Sequence, residues 1–352
     1  RDRNMIMSVD SVGCEFLKQY LVGGRNNYRN MLRYVRKFID GKKLYVDEPQ
    51  DPAAATSSLL YYPFGDENLD FSSVGEYDRW LKSHGKWIES APRIILTGQM
   101  GVSDSLVAQL ERTGNIVYPV NVIQSFIAKG HADSIDASAV INMAHGRMGD
   151  EVVRWLTAQN IPLFAPVNAN RDYNEWMADK MGMNGGFMSQ SIVTPEIDGA
   201  IRPYTLFAHF EGRDGLPYVE AIPGRLDDFV ATVNNYTALS RKDNKDKKLA
   251  IFYFKGPGQS ALVAEGMEVA PSLFNLLSRL KDEGYQVNGL PADAAALEKM
   301  IADNGKVFNE YAVGAQTDFV KNHNPQLVAR QDYDHWCESS LSPAMRLSLI
   351  HI

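Results

Sequence analysis

An α/β fold of the Rossmann-like or flavodoxin-like kind is predicted, with parallel sheets and flanking helices spread over more than one domain. Two observations predict it. Three apolar runs each lead into a glycine-rich loop and then a helix-like stretch: Arg93-Ile-Ile-Leu-Thr-Gly-Gln-Met-Gly101, Ala139-Val-Ile-Asn-Met-Ala-His-Gly-Arg-Met-Gly149 and Lys248-Leu-Ala-Ile-Phe-Tyr-Phe-Lys-Gly-Pro-Gly-Gln259. Around them, strand-like and helix-like segments alternate at the spacing of right-handed parallel crossovers. An open α/β sheet gathers its ligand crevice from loops at the carboxyl ends of its strands. The polar residues of the three loops, Gln99, His145, Arg147, Lys255 and Gln259, are therefore the candidate site residues.

The elements follow in order. Residues 13–40 read as two helical pieces broken at Gly23-Gly24, with Tyr28, Met31, Leu32, Val35 and Phe38-Ile39 forming an apolar stripe on the second. Residues 41–58 carry Pro49 and Pro52 and read as a connector. A helix over 77–87 offers Tyr77, Trp80, Leu81 and Trp87 for packing. Strand 93–97, helix 103–112 and strand 115–120 come next, with Gly114 as the helix stop. Strand 139–143, helix 150–159 and strand 162–167 repeat the unit. Residues 168–190 are rich in Met and Gly and read either as a lid or as a packed loop with Met filling gaps. A short strand is expected over 191–194, and a hairpin over 204–211 and 218–222. Helix 225–240 ends in the charged run 241–248, a solvated linker. A second α/β unit is expected beyond it: strand 249–254, helix 270–283 with Leu273, Leu276, Leu277 and Leu280 on one face, strand 285–290 and helix 292–302. Residues 305–346 read as polar and mostly helical, with Trp336 the large anchor.

The domain organisation expected is a helical end of an upstream domain at 1–45, an α/β domain with a hairpin insertion at 59–240, and the start of a second α/β domain at 248–346. The last six residues, Leu347-Ser-Leu-Ile-His-Ile352, match one reading frame of a transposase sequencing adapter. They are expected to be read-through, so His351 receives no role.

Composition narrows the function. The chain has 352 residues, 45% apolar and 22% charged, ordinary for a globular protein of about two domains. A net charge of −7 gives no electrostatic case for nucleic acid. Two cysteines at opposite ends, Cys14 and Cys337, argue against a disulfide framework and fit a reducing, cytoplasmic setting. No apolar run reaches the length of a membrane span. The P-loop signature, the Gly-x-Gly-x-x-Gly spacing, His-Glu-x-x-His, paired cysteines and Gly-x-Ser-x-Gly are all missing.

Within the loops, His145 at a strand end beside Gly146 suits a proton carrier or an axial metal ligand. It equally suits a cap on the following helix. Arg147 could clamp a carboxylate through two parallel hydrogen bonds, or pair with Asp150 or Glu151. Gly256 and Gly258 would let backbone N–H groups near Lys255 and Gln259 approach an anion, or simply make a tight turn. Glu265 and Glu268 read as ligands or surface carboxylates.

Four stretches carry a family resemblance. They are Tyr20-Leu-Val-Gly-Gly-Arg-Asn-Asn-Tyr-Arg-Asn-Met-Leu-Arg-Tyr34; the 93–101 strand unit; Ser191-Ile-Val-Thr-Pro-Glu-Ile-Asp-Gly-Ala-Ile-Arg202; and 248–285 with its Gly-Pro-Gly loop and Pro-x-Ser-Leu-x-Asn-Leu-Leu helix. Over 13–340 the chain resembles the cobaltochelatase large subunit (CobN) and magnesium chelatase H subunit family. The resemblance implies a piece of a very large subunit that binds a tetrapyrrole, hydrogenobyrinate-type or haem, during insertion of a metal. It implies separate ATPase subunits as partners, in keeping with the missing P-loop. It implies further that the family's His-x-Gly-x-His-Gly-x-Leu-Glu motif lies beyond residue 352, so this piece is expected to be inactive alone. The loop wording Thr97-Gly-Gln-Met-Gly101, Ala144-His-Gly-Arg147 and Lys255-Gly-Pro-Gly-Gln259 looks closest to a haem-uptake-associated branch of CobN-like proteins. That branch is linked to removal of iron from haem. Cobalt insertion, iron removal and non-catalytic tetrapyrrole binding are all open at this point.

Overall fold

The computed structural model describes residues 11–22, 25–42, 47–52, 59–64, 69–98, 104–213, 215–252, 266–304, 314–323 and 327–349. The chain divides into two compact units, Arg1–Arg241 and Lys242–Ile352.

The first unit opens with helices α1 (Ser11–Gln19) and α2 (Arg25–Tyr34), the latter running into a π-helical turn at Val35–Ile39. Leu17 and Tyr20 are buried, and the Tyr20 hydroxyl donates to the Gln50 carbonyl at 2.7 Å. The stripe predicted on α2 and the turn after it is only partly covered: Tyr28, Leu32 and Phe38 are exposed, and Met31, Val35 and Ile39 are half-buried. The buried positions of this helix are Asn27 and Asn30. Asn30 Oδ1 accepts from the Gln50 N–H at 3.2 Å, so the polar face satisfies the incoming backbone at 47–50.

A small antiparallel pair, β1 (Leu60–Tyr62) and β2 (Leu69–Phe71), precedes helix α3 (Val74–Ser83). The main sheet has strands β3 (Arg93–Thr97), β4 (Ile116–Pro119), β5 (Ala137–Asn142), β6 (Leu163–Asp172), β7 (Ala200–Glu211) and β8 (Pro217–Ala221). Their spatial order is β4-β3-β5-β6-β7-β8. The first five are parallel, which is the flavodoxin-like order 2-1-3-4-5, and β8 joins antiparallel at one edge. Helices α4 (Asp104–Arg112), α5 (Ile123–Ala128) and α6 (Asp150–Gln159) form crossovers. Short helices α7 (Tyr173–Ala178), α8 (Gly185–Met188) and α9 (Thr194–Ile197) connect β6 to β7, and α10 (Arg225–Arg241) closes the unit.

Ile94, Ile95 and Leu96 are all fully buried, as a strand covered on both faces requires. Alternate residues feed different cores. Ile95, Tyr118 and Val140 pack with Tyr77, Phe126 and Val152 from α3, α5 and α6. Ile94, Leu96, Val117 and Ile141 pack with Leu106 and Leu110 of α4 and Phe229 and Val233 of α10.

Two local expectations are corrected. Residues 191–194 are not a strand: Ser189–Val193 is a π-helical turn running into α9, whose first turn holds Pro195. Proline is well placed in a first helical turn, and this outweighs the β propensity of Ile192, Val193 and Thr194. The hairpin is no insertion either. β7 pairs parallel with β6 before it turns back on β8, so it is the fifth parallel strand of the sheet.

The second unit is helical over its described residues: α11 (Val269–Asp282), α12 (Ala294–Asn304), α13 (Ala315–Asn322), α14 (Arg330–Ser340) and α15 (Pro343–Leu349). Neither strand expected here forms among the described residues. Of the strand expected over 249–254, residues 253 and 254 lie outside the described residues, and Leu249, Ile251 and Phe252 are exposed without regular structure; 285–290 is irregular chain with a turn. Trp336, expected as an anchor, is 54% exposed. Among the described residues no helix is long and apolar enough to cross a membrane.

Candidate functional site

The chain lays β4 on one side of β3 and then crosses to place β5 on the other. That reversal is the switch point at which open α/β sheets leave a crevice beyond their carboxyl ends. The loops after β3 and β5 meet there. The Met143 N–H donates to the Thr97 carbonyl at 2.8 Å, and Asn142 Oδ1 accepts from the Ala144 N–H at 3.1 Å. Gly98 has φ +70° in this contact. A Cβ on it would lie 2.2 Å from Asn142 Oδ1 and 2.6 Å from the Ala144 nitrogen, so only glycine fits.

His145 is exposed and lines a crevice of about 110 Å³ together with Met143, Asn168, Phe187 and Ser191. Its neighbour Gly146, at φ +89°, donates its N–H to the Gln190 carbonyl at 3.0 Å, tying the β5 loop to the π-helical turn that carries Ser191. Gly149, at φ +102°, occupies the N-cap of α6, so His145 does not cap that helix.

Arg147 is committed within the chain. Its Nε donates to Asp198 Oδ1, and its terminal nitrogen donates to Asp150 Oδ1 at 2.9 Å. Donating to Asp198 raises the guanidinium pKa above its already high ordinary value. Asp198 has a fully buried side chain and also accepts from the Met148 N–H. A charged carboxylate out of water is stable when paired and hydrogen-bonded in this way. The buried aspartate of Pro195-Glu-Ile-Asp-Gly199 therefore staples this segment to the β5 loop. Of the two readings of Arg147, the intramolecular pairing with Asp150 is the one present, with Asp198 as an additional partner that sequence spacing did not suggest.

Gln99 lies within 99–103, and Lys255 and Gln259 lie within 253–265, outside the described residues; so does Glu265. Glu268 occupies the N-cap of α11 without a side-chain capping bond. Among the described residues no three His, Cys, Asp or Glu side chains converge as a metal site.

Asn168, Asn170, Phe187 and Ser191 were not singled out from sequence. Strand β6 runs five residues past the apolar stretch that marked its end, through Asn168-Ala-Asn170 to Asp172. Asparagines closing an apolar strand at the carboxyl edge of a parallel sheet were the available signal. The segment 168–190 contains the end of β6, α7 and α8 joined by turns, with Met177, Met181 and Met188 exposed rather than filling gaps, and Phe187 from it lines the crevice.

Known proteins agree with this architecture. The "Uncharacterized protein MJ0908" of Methanocaldococcus jannaschii is 23% identical over 97% of this chain and 30% of its own length. Magnesium-chelatase subunit ChlH of Oryza sativa is 24% identical over 83% of the chain and 23% of its own length. The catalytic subunit of cobaltochelatase from Mycobacterium tuberculosis shares the fold with a TM-score of 0.61 at 18% identity, over 83% of this chain and 25% of that one. The chain thus spans about a quarter of the length of these relatives. The family model described as CobN/Magnesium Chelatase matches residues 18–351, a span that takes in most of the tail at 347–352. By that match the chain belongs to the CobN/magnesium chelatase family.

Proposed function

We propose that this chain is part of a chelatase large subunit that holds a tetrapyrrole while a metal, cobalt, is inserted, with ATP hydrolysed on separate subunits. The family match across 18–351 carries the reading. The crevice beyond the carboxyl ends of β5 and β6, next to the β3/β5 switch point, supports it, because the carboxyl edge is where an open parallel sheet receives a ligand. Metal insertion exchanges two pyrrole protons for a metal ion, and imidazole is the side chain suited to accept protons near neutral pH. His145 is assigned that proton-accepting or macrocycle-contacting role. Arg147 holds the His145 loop in place through Asp198. Gln99, Lys255 and Gln259 are proposed as further contacts from the neighbouring glycine-rich loops, and a cytoplasmic setting is proposed with them.

Titrating the full-length protein with haem and with a hydrogenobyrinate analogue tests the reading by absorbance. Saturable binding of at least one is expected, weakened about tenfold in His145→Ala, roughly the 1.4 kcal/mol of one lost contact. Unchanged affinity in His145→Ala removes His145 from the site, and no binding of either ligand removes the tetrapyrrole. Iron released from bound haem without the ATPase subunits would assign removal, the chemistry of the branch that the loop wording resembles.

A further inference from the structure

Beside the His145 crevice lies a second and larger cavity, of about 370 Å³. The two share Asn170 and Phe187, so one ligand can occupy both. The second cavity has walls of two kinds. Trp176, Met183 and Phe187 supply apolar surface, and Asn170 and Arg171 bring polar groups from the end of β6. Asn170 sits at φ +52°, a left-handed conformation uncommon for a residue with a side chain, braced by its N–H donating to Asn168 Oδ1 at 2.9 Å. Backbone held in this way clusters at ligand sites.

Arg171 is the cation of this cavity. One terminal nitrogen donates to Asp179 Oδ2 at 2.5 Å. Asp179 is fixed in turn by the Met181 N–H, which donates to its Oδ1 at 2.8 Å. A guanidinium has five N–H donors in a planar fork. Among the described residues, the ion pair with Asp179 is the hydrogen bond this fork makes, which leaves donors for an incoming oxygen anion. The aspartate neutralises Arg171 while no ligand is present and aims the fork.

We propose that this cavity seats a carboxylate-bearing arm of a ligand whose ring presents its edge to the His145 crevice. Arg171 donates to the carboxylate, and Trp176 and Phe187 cover the alkyl portion of the arm. The proposal rests on the tetrapyrrole reading, since tetrapyrroles carry alkyl carboxylates on their rims. Two parallel charge-assisted bonds from a guanidinium favour a carboxylate over its ester.

The test compares haem with its dimethyl ester on the full-length protein, in wild type, Arg171→Gln and Asp179→Asn. Arg171 is exposed, so Arg171→Gln is expected to fold. The expected result is wild-type preference for the acid of about tenfold, loss of that preference in Arg171→Gln with ester affinity unchanged, and a larger preference in Asp179→Asn, which removes the competing anion. Equal binding of acid and ester by wild type overturns the arm site and leaves the tetrapyrrole reading standing. So does an acid preference that survives in Arg171→Gln. Failure to bind either porphyrin overturns both.

Discussion

At Gly98 the loops after β3 and β5 approach more closely than any side chain permits. Gly98→Ala combines a backbone at φ +70° with a contact 2.2 Å from Asn142 Oδ1, and a cost of about 2–4 kcal/mol is expected. A urea titration reads it as a lower midpoint, and an unchanged midpoint would show that the loops separate freely. Asp198 acts at the other end of the β5 loop. Asp198→Ala leaves the buried Met148 N–H without its acceptor, at a cost of about 1–3 kcal/mol. It also releases Arg147 and with it the loop that carries His145, so ligand affinity is expected to fall together with stability. Asp198→Ala with wild-type affinity would separate the staple from the site. His145 and Arg147 were legible as residues of a strand-end loop because glycine, histidine and arginine after an apolar run mark one. The role of Arg147 was not, because Asp198 lies 51 residues away in sequence and only the fold brings the two together.

Helix α3 begins at a well-made cap. The Ser73 hydroxyl accepts from the Glu76 N–H at 3.2 Å, and the Glu76 carboxylate accepts from the Ser72 N–H and hydroxyl at 2.9 and 2.8 Å. Those bonds from Ser72 hold the Glu76 carboxyl below its ordinary range. Ser73→Ala is expected to cost about 1 kcal/mol, read by thermal melting, with a loss near zero placing the helix start elsewhere. From the buried face of this helix the Tyr77 hydroxyl donates to the Val117 carbonyl, and beneath it the Tyr118 hydroxyl donates to Asp78, both at 2.8 Å. Burial, above all, pushes both phenols above 10, with the Asp78 hydrogen bond adding to it at Tyr118. The unfolded chain then loses these protons first as pH rises. Stability is expected to be full below about pH 10 and to decline above it. Tyr118→Phe should shallow that alkaline decline in urea titrations at pH 9 to 11, and an identical slope would count against the burial argument. Strands β3 to β6 were readable because continuous apolar runs mark parallel strands covered on both faces. In the stripe of Tyr28, Met31, Leu32, Val35, Phe38 and Ile39 none is fully buried, because helical periodicity shows that a face exists without showing how deeply it is covered. Here Asn27 and Asn30 take the inside to satisfy backbone groups.

At the scale of the whole molecule, the flavodoxin-like order of the first unit explains where the site lies, and the helical second unit shows the limit of local patterns. The run Leu249-Ala-Ile-Phe252 has the composition of a core strand, yet these residues are exposed and without regular structure, because composition alone does not say what a strand pairs with. The first residues of the second unit carry Lys242, Lys245, Lys247 and Lys248, mostly exposed. Brief trypsin treatment is expected to cut there first and to leave a stable product ending near Arg241, and initial cuts within 104–213 would contradict the division into two units. The staple between Arg147 and Asp198 has a consequence in time. Chains lengthen at about 5–20 residues per second during synthesis, so those 51 residues correspond to roughly 3–10 s. During that interval β3, β4 and β5 have been made, while the aspartate that fixes the β5 loop has not. Met143 and His145 on the β5 side of the crevice are made before that interval and Asn168, Phe187 and Ser191 within it, so a nascent chain passes through a stage in which the floor exists while the facing wall and the lock are still to come.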